Sequence, residues 1–134
     1  MTDTVTNMDE KNTQLCSNTN CPLCGILRTS FDLAFFKVKT GFARFGRGHY
    51  TTATSSKSDS YSTNGSTSSY KAIIMTKVVV GRGYKMTQNA QTLTAPPTGF
   101  HSVLGEPVQG GKLNYDELVV YDNDAIRPAY LIVY

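Results

Sequence analysis

The sequence predicts an α+β domain with an antiparallel core, and three observations carry that expectation. Runs of β-branched and apolar residues dominate the second half, helix-like stretches are few and short, and the count comes to at least five strands against one or two helices. With 134 residues the chain can build one core, and 11 glycines with 5 prolines break it into many turns.

Taken in order, residues 1–14 are polar, lack periodicity and read as a flexible tail, leaving 15–134 as the folded domain. The short apolar run from Cys21 to Leu27 reads as a buried strand. RTSFDLAFFKVKTG then offers Ser30 as the N-cap of a short helix through Leu33, Ala34 and Phe36, closed by Gly41. FGRGHYTTA reads as a bend entering a short strand, TSSKSDSY as a polar turn of helix behind a Thr or Ser cap, and YSTNGSTSS as a linker. KAIIMTKVVVG is a strand built on Ile73–Ile74 and Val78–Val80. Thr87 to Leu113 is a long irregular loop of the kind that more often carries function than decoration. YDELVVYD and AYLIVY, joined by the turn NDAIRP, finish the chain as two strands.

Composition narrows the classes of function. The formal charge of +3 is spread along the chain, and only Arg44 to Arg47, RFGR, approaches the basic, aromatic-interleaved stripe of a nucleic-acid binder. The start has no basic-then-apolar leader pattern, and no apolar run reaches the ~20 residues of a membrane span. Three clustered cysteines, odd in number, do not make a disulfide framework. Together these predict a soluble monomer of a reducing compartment, cytoplasmic or nuclear, that engages no membrane.

Residue types alone leave the chemistry open. Cys21 and Cys24 form a C-x2-C pair that, with Cys16 and His49 or His101, matches half of a zinc signature. The second pair is missing, so the preferred reading is small buried thiols and no metal. A nucleophile made of Cys24 and a histidine ranks below that. Gly46-x-Gly48 and Gly81-x-Gly83 fit no phosphate-cradling motif and read as turns. Glu117 stands at the edge of the core beside LVVY, where a carboxylate is more often an outward polar position than a catalyst.

The order of the pieces adds information. FGRGHYTTATSSKSDSY, KAIIMTKVVVGRGYKM, PPTGFHSVLGE and LNYDELVVYDNDAIRPAYLIVY follow one another in register across about residues 21 to 134. This array closely resembles the catalytic domain of the poly(ADP-ribose) polymerase and tankyrase family of ADP-ribosyltransferases. The resemblance implies a split antiparallel β-sandwich with a cleft for NAD, the substrate. It further implies that Gly25 supplies a backbone contact and Ser58 a hydroxyl to the nicotinamide carboxamide, while Tyr61 stacks on the ring and Tyr50 forms the opposite wall. Glu117 matches the catalytic glutamate, which binds the ribose 2′-hydroxyl and stabilises the oxocarbenium-like charge as nicotinamide departs.

One position departs from the pattern. Where the family has His-Gly-Ser or His-Gly-Thr, the matching tripeptide is Cys24-Gly25-Ile26, and Cys24 would replace a histidine that binds the adenine-side ribose with a weaker hydrogen-bonding thiol. The resemblance implies single ADP-ribosyl transfer to a protein or nucleic-acid acceptor, because the Thr87–Leu113 loop is short for a chain elongator. NAD hydrolysis, and a catalytically silent domain that binds a partner protein, remain as alternatives. No helical regulatory domain, DNA-binding finger or macrodomain segment is present, so DNA-break sensing is not expected.

Overall fold

The structure, a computed structural model, describes residues 14–37, 43–62, 69–110 and 113–134. All but the last residue of the expected tail, the closing role of Gly41 and most of the YSTNGSTSS linker lie outside the described residues. In chain order the elements are α1 (Pro22–Thr29), a 3-10 turn (Leu33–Phe35), β1 (His49–Thr51), α2 (Ser55–Tyr61), β2 (Ala72–Val78), β3 (Gly83–Met86), β4 (Ser102–Gly105), β5 (Glu117–Val120), a second 3-10 turn (Asn123–Ala125) and β6 (Ile126–Val133).

The strands form two sheets. One has the order β1-β5-β4-β3 and the other pairs β2 with β6. All pairings are antiparallel except β3 with β4, so the larger sheet is mixed rather than purely antiparallel. The split α+β architecture expected from the sequence is present, and the described strands do not close into a barrel. Its core is the buried set Phe45, Val103, Leu113 and Val119, flanked by Tyr50, Met86, Ala90, Leu93 and Tyr121. The apolar residues of β4 and β5 therefore supply the sheet's buried face, and the bend before β1 supplies the large ring that covers it.

Three sequence expectations are corrected. Cys21 to Leu27 is no strand: Pro22 enters at the first helical turn, where its fixed φ and missing N–H suit a helix start, and Leu23, Ile26 and Leu27 recur at helical spacing. A short apolar run cannot be told from a buried helical turn by periodicity alone. Ser30 then caps the end of α1 instead of beginning a helix, with a left-handed φ of 68° and its N–H donating to the Ile26 carbonyl at 2.8 Å. The helix expected after it is the single 3-10 turn Leu33–Phe35, capped by Asp32, whose carboxylate accepts from the Ala34 N–H at 2.8 Å. The long loop from Thr87 contains β4, whose four residues sit between glycine- and proline-containing stretches and pair on both edges.

The bend ahead of β1 depends on Gly46. Its φ of +76° lies in the left-handed region, and a Cβ placed there would stand 1.9 Å from the Leu93 carbonyl oxygen. Arg47 N–H donates to that same carbonyl at 3.0 Å, so the bend is clamped to the loop after β3. Gly46→Ala is expected to cost about 2 kcal/mol or more through strain and clash. Urea titration should show a lower midpoint with an unchanged slope.

Candidate functional site

A cleft of about 1280 Å³ opens between the two sheets. That exceeds the roughly 300–1,000 Å³ of ordinary small-molecule pockets and gives room for an extended ligand. Its walls include Tyr50 from β1, Lys57, Ser58 and Tyr61 from α2, Asp116 and Glu117 at the start of β5, and Ile73 and Met75 from β2.

Helix α2 is polar throughout, and its own propensity would not hold it. Docking does. Thr54, Lys57, Ser58 and Tyr61 recur at three- and four-residue spacing and so share one face. Asp116 anchors the start of that face: its carboxylate accepts from Thr52 Oγ1 at 2.9 Å, Thr54 Oγ1 at 2.8 Å and the Ala53 N–H at 2.9 Å. Burial alone would raise the Asp116 carboxyl, but the bonds from Ala53, Thr54 and Thr52, with the Lys57 charge, hold it below its ordinary value of 3.8. At the far end of α2, Asp59 accepts from the Tyr134 hydroxyl and from Lys71 Nζ at 3.0 Å, joining the helix to the β2–β6 side of the cleft. These bonds, the Tyr134 hydroxyl foremost, keep Asp59 below the usual carboxylate range.

Glu117 is the first residue of β5, paired through its backbone with Gly105 of β4. Lys57 Nζ donates to Glu117 Oε1 at 2.8 Å and to the Asp116 carbonyl at 3.1 Å. Both side chains of this ion pair are close to nine-tenths buried, at 12% and 13% exposure. The second carboxylate oxygen, Oε2, is buried and has no hydrogen-bond partner among the described residues. An unpaired buried carboxylate oxygen is costly, so the arrangement favours any ligand that brings a donor to it.

Tyr50 stands beside this carboxylate, but its hydroxyl is committed elsewhere. It donates to the Gly46 carbonyl at 2.6 Å and accepts from the Phe45 N–H at 3.0 Å. Burial pushes the Tyr50 hydroxyl up to about 12; the Phe45 bond opposes the rise and the Glu117 charge adds to it. Tyr121 reinforces the bend by donating to the Phe45 carbonyl at 2.7 Å, and burial, then Tyr50, raises its hydroxyl as well. The Tyr50 ring is therefore oriented by its own hydroxyl before any ligand arrives.

Of the six residues singled out from the sequence, the structure brings Tyr50, Ser58, Tyr61 and Glu117 to one cleft. It does not bring Cys24 and Gly25 there. Both lie in α1, where Cys24 is fully buried and the Gly25 N–H donates to the Cys21 carbonyl at 3.0 Å. The histidines serve the scaffold: His49 Nε2 pairs with Asn123 Oδ1 at 2.9 Å, and His101 Nδ1 accepts from the Arg82 N–H at 2.8 Å. Sequence reasoning missed Asp116 and the part played by Lys57. The adjacent acids of Asp116-Glu117 and the single lysine within TSSKSDSY were the available signals.

No helix among the described residues is long and apolar enough to cross a membrane. Two split sheets around an open cleft, with two short helices, make an α+β architecture. The model of the poly(ADP-ribose) polymerase catalytic domain matches residues 17–109, and the chain belongs to that family. The family uses NAD as its substrate. The match covers β1, α2 and the strands through β4, while Glu117 lies just beyond it.

Removing Lys57 leaves a buried carboxylate unpaired. Lys57→Met is expected to lower unfolding stability by about 3 kcal/mol, and adding Glu117→Gln to recover most of the loss. Urea titrations of the four proteins of this cycle measure the coupling. Because the folded Asp116 carboxyl lies below its unfolded value, its stabilisation is complete above pH ~4 and drains as pH falls through the folded value. The stability gap between the native chain and Asp116→Asn should therefore be full at neutral pH and shrink below pH ~4, as thermal unfolding against pH will register.

Proposed function

We propose that this domain transfers a single ADP-ribosyl unit from NAD to a macromolecular acceptor, acting as a monomer inside the cell. The glycosidic bond between ribose C1′ and the nicotinamide nitrogen breaks, its electron pair leaves with nicotinamide, and an acceptor nucleophile bonds to C1′ and gives up its proton. The observation that carries this reading is the state of Glu117. One oxygen is fixed by Lys57 at 2.8 Å, and the other is buried in the cleft without a partner among the described residues.

In that role Glu117 Oε2 accepts a hydrogen bond from the ribose 2′-hydroxyl, and its charge opposes the positive charge growing on the ribose ring. The Lys57 ammonium holds the carboxylate in place at no cost of reorganisation during the reaction. Ser58 and Tyr61, on the same helix face, meet the carboxamide and the ring of nicotinamide, and the oriented Tyr50 ring closes the other side. The protein or nucleic acid that accepts ADP-ribose approaches by the open mouth of the cleft.

A second reading draws on Gly25. Its N–H is already bound within α1, away from the cleft, so it is not offered to a nicotinamide carboxamide. This favours a silent domain that binds a partner protein. Calorimetry with NAD separates the two, since no heat at millimolar NAD selects the silent domain.

Incubation with NAD labelled in its adenylate half should give labelled acceptor, and Glu117→Gln should reduce the label by about 100-fold or more with circular dichroism unchanged. Equal label in the variant would remove Glu117 from the mechanism. Free ADP-ribose released in step with nicotinamide, with no labelled acceptor, would make water the acceptor.

A further inference from the structure

Away from the cleft, three thiols converge. The Sγ atoms of Cys16, Cys21 and Cys24 all lie within 4.8 Å of one another, Cys21 and Cys24 are buried, Cys16 is half-buried, and no disulfide joins any of them. We propose that this cluster is a binding site for a thiophilic metal ion, zinc first, held by three thiolates from one short segment.

Local structure explains why the thiols meet. Cys21 is the N-cap of α1 and Cys24 the third residue of its first turn. N-cap and third-position side chains face each other, as they do in a capping box. The Cys21 side chain makes no capping hydrogen bond, so its sulfur is turned to the cluster instead of to the helix. Ahead of it, Asn18 organises a tight reversal: its side-chain Oδ1 accepts from the Asn20 N–H at 2.9 Å, and its carbonyl accepts from the Cys21 N–H at 3.2 Å. That reversal folds Cys16 back over the helix start. The Arg28 guanidinium, from the last turn of α1, then fixes the Cys16 carbonyl.

The dimensions suit a tetrahedral ion. Zinc–sulfur bonds of ~2.3 Å place thiolates ~3.8 Å apart. The Cys16 and Cys24 sulfurs are 3.3 Å apart, and the widest separation is bounded by 4.8 Å, so the three need to adjust by about 1 Å at most. Thiolates are soft ligands that select zinc over magnesium or calcium.

Electrostatics point the same way. The peptide N–H groups of the first turn of α1 favour negative charge, and that turn contains no acidic residue. Three thiols release three protons to solvent as their thiolates bind one zinc ion, with water in the fourth position, leaving a complex of charge −1. Arg28 and the helix start offset that charge. Spacing alone showed half a signature; the fold adds the third sulfur and the electropositive setting. Bound metal would pin the segment around Cys16 to α1 and contribute to the folding of that corner.

The test uses the full chain, purified under reducing conditions without chelator. Elemental analysis should find one zinc per chain. After stripping, added Co²⁺ should give a thiolate-to-metal charge-transfer band that zinc then bleaches. Cys16→Ser, at the half-buried position, should weaken Co²⁺ binding by more than about 100-fold, above the 10–100-fold typical of outer-shell changes, while its circular dichroism matches that of stripped native protein. Cys24 is fully buried and its variant can fail to fold, so the Cys16 variant decides. Substoichiometric zinc with no charge-transfer band would overturn the site, as would Co²⁺ binding as tightly to Cys16→Ser as to the native chain. Metal content is read independently of NAD chemistry, so the transferase reading can fail while this one stands.

Discussion

The cleft depends on one buried contact, the ion pair between Lys57 and Glu117. Desolvating two charges is expensive, and the pair survives because each partner has further support. Lys57 also donates to the Asp116 carbonyl, and Asp116 in turn gathers three donors from the residues leading into α2. A seven-residue helix made of Ser, Lys, Asp and Tyr has no apolar face worth burying. It is held by polar bonds to the first residues of β5, and those bonds fix Ser58 and Tyr61 relative to Glu117. The same contacts thus stabilise the helix and set the geometry of the site.

A second polar assembly shapes the opposite wall. The hydroxyls of Tyr50 and Tyr121 are both spent on the Phe45–Gly46 bend, and Phe45 itself plugs the core between Val103, Leu113 and Val119. Core packing and cleft wall therefore meet in one backbone turn. Gly46 permits the left-handed conformation that brings the Phe45 N–H and the Gly46 carbonyl within reach of a single tyrosine oxygen. Rigid placement of an aromatic wall ahead of binding lowers the ordering cost that a ligand would otherwise meet.

Much of the fold was legible where local preference and tertiary need agree. β2, β5 and the second half of β6 carry clusters of β-branched and apolar residues, and α2 follows a threonine at its N-cap position, so these declared themselves in the chain, whereas Ile126–Pro128, expected as turn, begin β6. α1 was misread because PLCGIL is short, apolar and compatible with either structure until Pro22 is weighed as a helix start. β3 and β4 were missed because each has four residues, and β4 earns its place by pairing on both edges, a long-range fact that no local window contains. Within the cleft, Tyr50, Ser58, Tyr61 and Glu117 were found through the order of motifs. The assignment of Cys24 and Gly25 followed the same order, but the fold places them in a helix whose hydrogen bonds take up the Gly25 N–H.

The pairing of His49 with Val120, and of Ala72 with Val133, has a consequence for synthesis on the ribosome. β1 and β2 are made before the strands they pair with, β5 and β6, which lie about 60 residues further along the chain. Until β5 and β6 leave the exit tunnel, the apolar edges of Ile73 and Ile74 have nothing to cover them, and neither sheet can close. This domain therefore cannot complete either sheet while β3, β4 and β5 are still being made, so in the cell its yield will follow chaperone supply more closely than its final stability would suggest.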